Sequence, residues 1–250
     1  MKKMIDEKRG QFIIIAALMI AIMIVSIGAL MHRAVTYYRH EPWEEYLALI
    51  GNIELNSKRL VELSLANYSR TLDENLLKTN LDEWKADLSR IYLGRGVTIN
   101  CELANGLYDF CDTSINYLSG LNHSWYKQRS FSAANAIFTL DITSIGLTGY
   151  RFTTLAFLDL TIIGVSGKKI NVTVTMEDKM FVFDLGRDNF QVNKTSDNAN
   201  IPIVSVEECY DVARKEFVYV IECSLDVSST SVKVKVCDFR GIQVIARYSP

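Results

Sequence analysis

Apolar side chains fall into three textures along the chain, and each predicts a different kind of element. From Phe12 to Met31 they run unbroken for 20 residues, with Ser26 the single polar side chain. A helix over that run is about 30 Å long and apolar on every side, which matches a bilayer's hydrocarbon core. The reading is a transmembrane helix over residues 11–33. From Trp43 onward the apolar positions recur at helical spacing. Trp43, Tyr46, Leu47, Ile50, Ile53, Leu60, Val61 and Ser64 trace one stripe; Leu77, Leu81, Trp84, Leu88 and Ile91 trace a second. Pro42 fits the first turn of the first helix, Thr71 and Glu74 have capping-box spacing before the second, and Gly94-Arg95-Gly96 ends it. Residues 34–96 thus hold two amphipathic helices, folded back as a hairpin or continued as a stalk.

After Gly96 the texture changes to short alternating segments about ten residues apart, separated by polar turns. Ser231–Asp238 alternates best, with Val232, Val234 and Val236 on one face and Lys233 and Lys235 on the other. The expected fold class is α+β: an N-terminal transmembrane helix, two amphipathic helices, then a β-sandwich with an Ig-like rhythm. The β-rich region spans residues 97–250, within which 169–250 form a candidate Ig-like module of their own.

Charge adds an orientation. Lys2, Lys3, Lys8 and Arg9 precede the apolar run, whereas Arg33 and Arg39 follow it, so the positive-inside rule places the N-terminus in the cytoplasm. Residues 34–250 hold 22 basic and 27 acidic side chains, net −5, and are expected outside the cell membrane as a single-pass protein's exterior. With a whole-chain net charge of −2 there is no excess positive field for phosphates, so nucleic acid is not an expected partner.

The junction before the run is the most specific local signal. Lys8-Arg9-Gly10-Gln11 leads directly into Phe12-Ile13-Ile14-Ile15. Charge, a lone glycine and an unbroken apolar helix resemble the class III signal of archaeal type IV pilin-like proteins, archaellins included. The resemblance covers about the first 31 residues. It implies a leader over residues 1–10, cut by a prepilin peptidase between Gly10 and Gln11, and a helix that packs with its own copies through residues 12–31. Bacterial pilins usually carry Glu five residues after the cut; that position is Ile15 here, which directs the resemblance to the archaeal branch. The function it implies is a surface protein, a structural subunit or minor component of a pilus-like filament, or an adhesin. The alternative is a membrane-anchored Ig-like binding module that does not polymerise. The implied partners are the lipid bilayer, the peptidase and copies of the chain.

Cysteines and sequons bear on the outer region. Cys101, Cys111, Cys209, Cys223 and Cys237 form no CxxC pair and no Cys/His zinc spacing. Cys101 and Cys111 enclose nine residues, a span that a local disulfide can close; buried free thiols are the other reading. Asn67, Asn122, Asn171 and Asn193 each head an N-glycosylation sequon, about twice the number that chance spacing gives. No P-loop, GxGxxG, GxSxG or HExxH occurs. The three histidines, His32, His40 and His123, have no ligand-spaced neighbours, and Asp184 and Asp188 read as turn residues rather than calcium ligands. Neither a catalytic constellation, a metal site nor a cofactor is expected.

Overall fold

The computed structural model describes residues 2–110 and 113–250, with side chains described for 18–33, 44–106 and 115–250. The chain divides into two compact units, Met1–Glu54 and Leu55–Pro250.

Helix α1 runs from Lys2 to Thr71 without interruption. It passes through Pro42, where the sequence predicted a fresh start. One proline removes one bond from the helical ladder and does not by itself end a helix flanked by strong helix formers. Among the described residues no helix is long and apolar enough to cross a membrane. The expected transmembrane helix over 11–33 is corrected on that finding. The segment is instead part of one 70-residue helix that carries charged residues on both sides of it. The transmembrane assignment falls with it, and so does the division into one spanning helix followed by two amphipathic ones.

In the second unit α1 ends where the break was expected. Leu72 takes a left-handed φ of 58°, and its amide bonds to Tyr68 O at 2.7 Å. Helix α2 spans Leu76–Ile91 and buries Leu77, Leu81 and Leu88. Its N-cap is Asn75, with no side-chain cap, so the Thr71/Glu74 capping box does not form. The Nδ2 of Asn80 donates to Ser64 Oγ at 2.8 Å and the Nε1 of Trp84 to Ser57 Oγ at 3.3 Å. Later residues of α2 therefore meet earlier residues of α1: the pair is an antiparallel hairpin, not a stalk. After α2, Gly96 turns the chain with φ of 61°; a Cβ there would collide with Thr143 Oγ1.

Thirteen strands follow among the described residues. They are β1 (Val97–Leu103), β2 (Gly106–Phe110), β3 (Thr113–Tyr117), β4 (Leu121–Ser124), β5 (Arg129–Ile142) and β6 (Leu147–Ser166). The remainder are β7 (Lys169–Met176), β8 (Phe190–Lys194), β9 (Asn200–Ile201), β10 (Ile203–Asp211), β11 (Glu216–Cys223), β12 (Val232–Cys237) and β13 (Gln243–Tyr248). The larger antiparallel sheet has the order β1-β5-β6-β7-β11-β10, with β4 also on β5; the smaller has the order β13-β12-β8-β9. β1 and β4 share one edge of β5, β1 opposite Ala136–Ile142 and β4 opposite Phe131–Ala134. The β2–β3 hairpin lies between them in the chain, and its Ile115 and Tyr117 pack on Ala104, Phe131, Ala133 and Phe157. β13 lies against β5 and β6, so the two sheets enclose Leu158, Leu160, Val234, Val236, Val244 and Ala246, all fully buried. Because β7 pairs with β6 from Lys169 to Met176, residues 169–250 do not form an Ig-like sandwich of their own. They complete sheets that upstream strands begin.

Candidate functional site

The residues singled out in the sequence are scattered. Gly10 and Gln11 lie within α1, and their side chains are outside those described. Cys101 (β1), Cys209 (β10), Cys223 (β11) and Cys237 (β12) are free thiols, and no strand register sets two of them opposite each other. Cys111 and His40 fall outside the described side chains. Burial pushes the Cys101 and Cys223 thiols up to about 11, so both stay protonated and unreactive at neutral pH. Of the sequon residues, Asn67, Asn122 and Asn193 are half-buried and Asn171 on β7 is exposed. Ser69, the hydroxyl residue of the first sequon, is buried, donating to Ala66 O and accepting from the Gln243 amide. Among the described residues no group of three His, Cys, Asp or Glu is placed to hold a metal ion.

Three arrangements stand out instead. The first is the apolar surface of the N-terminal unit. Leu18, Met19, Ile20, Ile22, Met23, Ile24, Val25, Ile27, Leu30 and Met31 are all between 55 and 71% exposed. They surround the helix, so no rotation of α1 hides them; only another surface on every side does.

The second is an ionic cluster buried in the second unit. Arg240, at the β12–β13 turn, donates through Nε to Asp238 at 2.7 Å and through Nη1 to Glu177 at 2.6 Å; Glu62 of α1 lies 3.6 Å from Nη1. Nη2 reaches Phe157 O at 2.9 Å, while Glu177 accepts the Phe157 amide at 2.8 Å. Burial opposes the charge on Arg240, but Asp238 and Glu177 more than offset it and hold its pKa above the usual value. The cluster ties α1, the β7 end and the β12–β13 turn to one point of β6. Every arm of the guanidinium is engaged, by Asp238, Glu177 and Phe157 O, so its role is to lock the fold rather than to react. Elsewhere in the second unit, Tyr68 OH sits 2.7 Å from His123 Nδ1, with the Trp125 ring 4.8 Å from the imidazole. Burial holds His123 below its ordinary pKa, against the pull of Glu74.

The third is a groove of about 310 Å³ on the larger sheet, lined by Arg129, Asp159, Thr161, Thr173, Thr175, Arg214 and, beside these, Ile163, Lys179 and Glu216. Strand alternation explains the grouping. Thr173 and Thr175 alternate with buried Val172 and Val174, and Asp159 and Thr161 with buried Leu158 and Leu160. Those apolar partners face the smaller sheet; the polar set faces away. The Asp159 carboxylate is nearly enclosed and takes Arg129 Nε at 2.7 Å and Thr161 Oγ1 at 3.2 Å. Burial raises its pKa, and the Arg129 and Thr161 bonds work against that rise. The sequence offered one pointer here, the sequon Asn171-Val-Thr173, whose threonine lines the groove.

No family model matches the chain, and no curated protein or solved structure is significantly similar to it.

Proposed function

We propose that the chain is a structural subunit, major or minor, of an archaeal type IV pilin-like surface filament. The observation that supports this reading most is the stretch Leu18–Met31, apolar around its whole circumference and exposed within an unbroken helix. Such a surface is stable only when covered. Identical copies supply the cover, because each brings the same apolar helix and a filament repeats that contact without end. A β-rich unit follows the helix in the chain and is left to face outward. Processing by a prepilin peptidase between Gly10 and Gln11 removes the charged leader and frees the helix for packing; Lys8-Arg9-Gly10-Gln11 supports this step.

Two measurements test the reading. Co-expression with an archaeal prepilin peptidase, followed by mass spectrometry of the N-terminus, is expected to yield a chain beginning at Gln11. Electron microscopy of that product is expected to show filaments. A chain still beginning at Met1, or a processed chain that stays monomeric, overturns the proposal.

A further inference from the structure

The groove on the outward face of the larger sheet has no part in helix packing, and its chemistry points to a ligand independently of the filament reading. Arg129 is the central group. Its Nε is engaged by Asp159, whereas Nη1 and Nη2 have no partner among the described residues. The carboxylate therefore anchors the guanidinium and leaves a planar pair of donors, the geometry that grips an oxyanion with two parallel bonds. Arg214 lines the same groove and gives it a second guanidinium. Arg214 stands 3.8 Å from Asp211 and 3.9 Å from Glu216, too far for well-made hydrogen bonds.

The rest of the lining asks for something other than charge. Thr161, Thr173 and Thr175 present hydroxyls, and Thr173 Oγ1 is out of reach of solvent with no hydrogen-bond partner. An unmatched buried hydroxyl is rare, and it is relieved when a ligand or a χ1 rotation supplies a partner. Glu216, an acceptor, needs donors from whatever lies beside it. A bare inorganic anion answers the arginine but brings too few donors for the carboxylate and threonines. A neutral sugar answers the hydroxyls but leaves the guanidinium fork unfilled. The volume, about 310 Å³, is at the small end for ligand clefts and suits one sugar ring.

We infer that this groove binds an acidic saccharide of the uronic acid class, its carboxylate on Arg129 and Arg214 and its ring hydroxyls on Glu216 and the threonines.

The test is saturation-transfer NMR and calorimetry on the full-length, unglycosylated chain with D-galacturonic acid, D-galactose and inorganic phosphate as probes. Galacturonic acid is expected to bind with millimolar or better affinity, and each of the other two at least tenfold more weakly. Arg129→Lys keeps a cation opposite Asp159 but removes the fork, and is expected to weaken galacturonic acid binding at least tenfold. Because that change touches an enclosed ion pair, Arg214→Gln at an exposed turn serves as a second variant, with a three- to tenfold loss expected. Wild-type chain that ignores galacturonic acid, that takes galactose equally well, or that takes phosphate equally well overturns the inference. Unaltered binding in a folded Arg214→Gln chain overturns it too. Neither result depends on whether filaments form.

Discussion

Two stretches of similar apolar content meet opposite fates. In α1, residues 18–31 are apolar at nearly every position and all the large ones are exposed. In β12, Val232, Val234 and Val236 alternate with Lys233 and Lys235, and the valines are fully buried. The strand can be satisfied by one neighbouring sheet because its pattern offers one apolar face and one polar face. The helix offers no polar face, so a single neighbour cannot satisfy it. Period, rather than hydrophobicity, decides whether an element completes the fold of its own chain or remains available to other chains.

The sharpest way to break this comparison is to give the helix a polar face. Ile24→Asp is expected to abolish filament assembly outright, because every copy would bury an unpaired carboxylate at each contact. The same change is expected to leave the urea midpoint of residues 55–250 where it was. Loss of that midpoint together with assembly would show that the exposed surface serves the chain's own stability.

The second unit breaks at its buried charges. Arg240→Met leaves Asp238 fully buried and Glu177 nearly so, with no cation between them. The expected cost is about 3–5 kcal/mol in urea unfolding. Adding Glu177→Gln and Asp238→Asn is expected to recover part of it, since the amides keep the acceptors for the Phe157 and Ile242 amides but carry no charge. If the triple variant is no better than the single one, the cluster acts through packing rather than through charge.

A smaller effect tests the junction between the helical and β-rich parts of the second unit. Gly96→Ala forces a Cβ into a left-handed residue and against Thr143 Oγ1, the start of the turn from β5 to β6. About 1–3 kcal/mol of destabilisation is expected by urea titration, and Thr143→Ala is expected to relieve the steric part of it.

How far each part could be read from the sequence follows the same rule of period. β12 was legible because its alternation is uninterrupted. The buried stripe of α1 in the second unit was half legible: Val61 and Ser64 lie on the stripe that the spacing traces, but Ser57 and Ser69 share the buried side and bond to α2, β13 or the helix backbone. β5 has no legible pattern over its first half. Ser130–Ala136 are buried on both faces, and the sequence SFSAANA has no alternation to detect. Ser130 is satisfied by Lys127 O, three residues before it, and Ser132 by Gln243 O, a partner that only the fold brings near. The groove was invisible because Arg129, Asp159, Thr173 and Arg214 come from four separate elements and read singly as surface residues. The transmembrane reading erred by treating the apolar run as an element, when α1 extends well past it on both sides.

The smallest expected effect concerns His123, and it distinguishes a titrating contact from a merely packed one. Burial lowers its pKa, and Tyr68, whose own pKa burial raises, stays protonated 2.7 Å from Nδ1. A hydroxyl donating to a neutral imidazole nitrogen fits both directions. The folded state therefore favours neutral His123, while the unfolded chain binds a proton near pH 6.5. Below about pH 6.5 the unfolded state takes up the proton first, so stability falls with pH until the lower folded pKa is passed; above about 6.5 the histidine adds no slope. Urea midpoints measured at pH 7.5, 6.5 and 5.5 should show that decline in the wild type and a flatter profile in His123→Gln. Gln keeps a carbonyl acceptor for Tyr68 and removes the proton site. A profile equally steep in both chains would mean that the slope comes from carboxylates, and that the Tyr68–His123–Trp125 group contributes only shape.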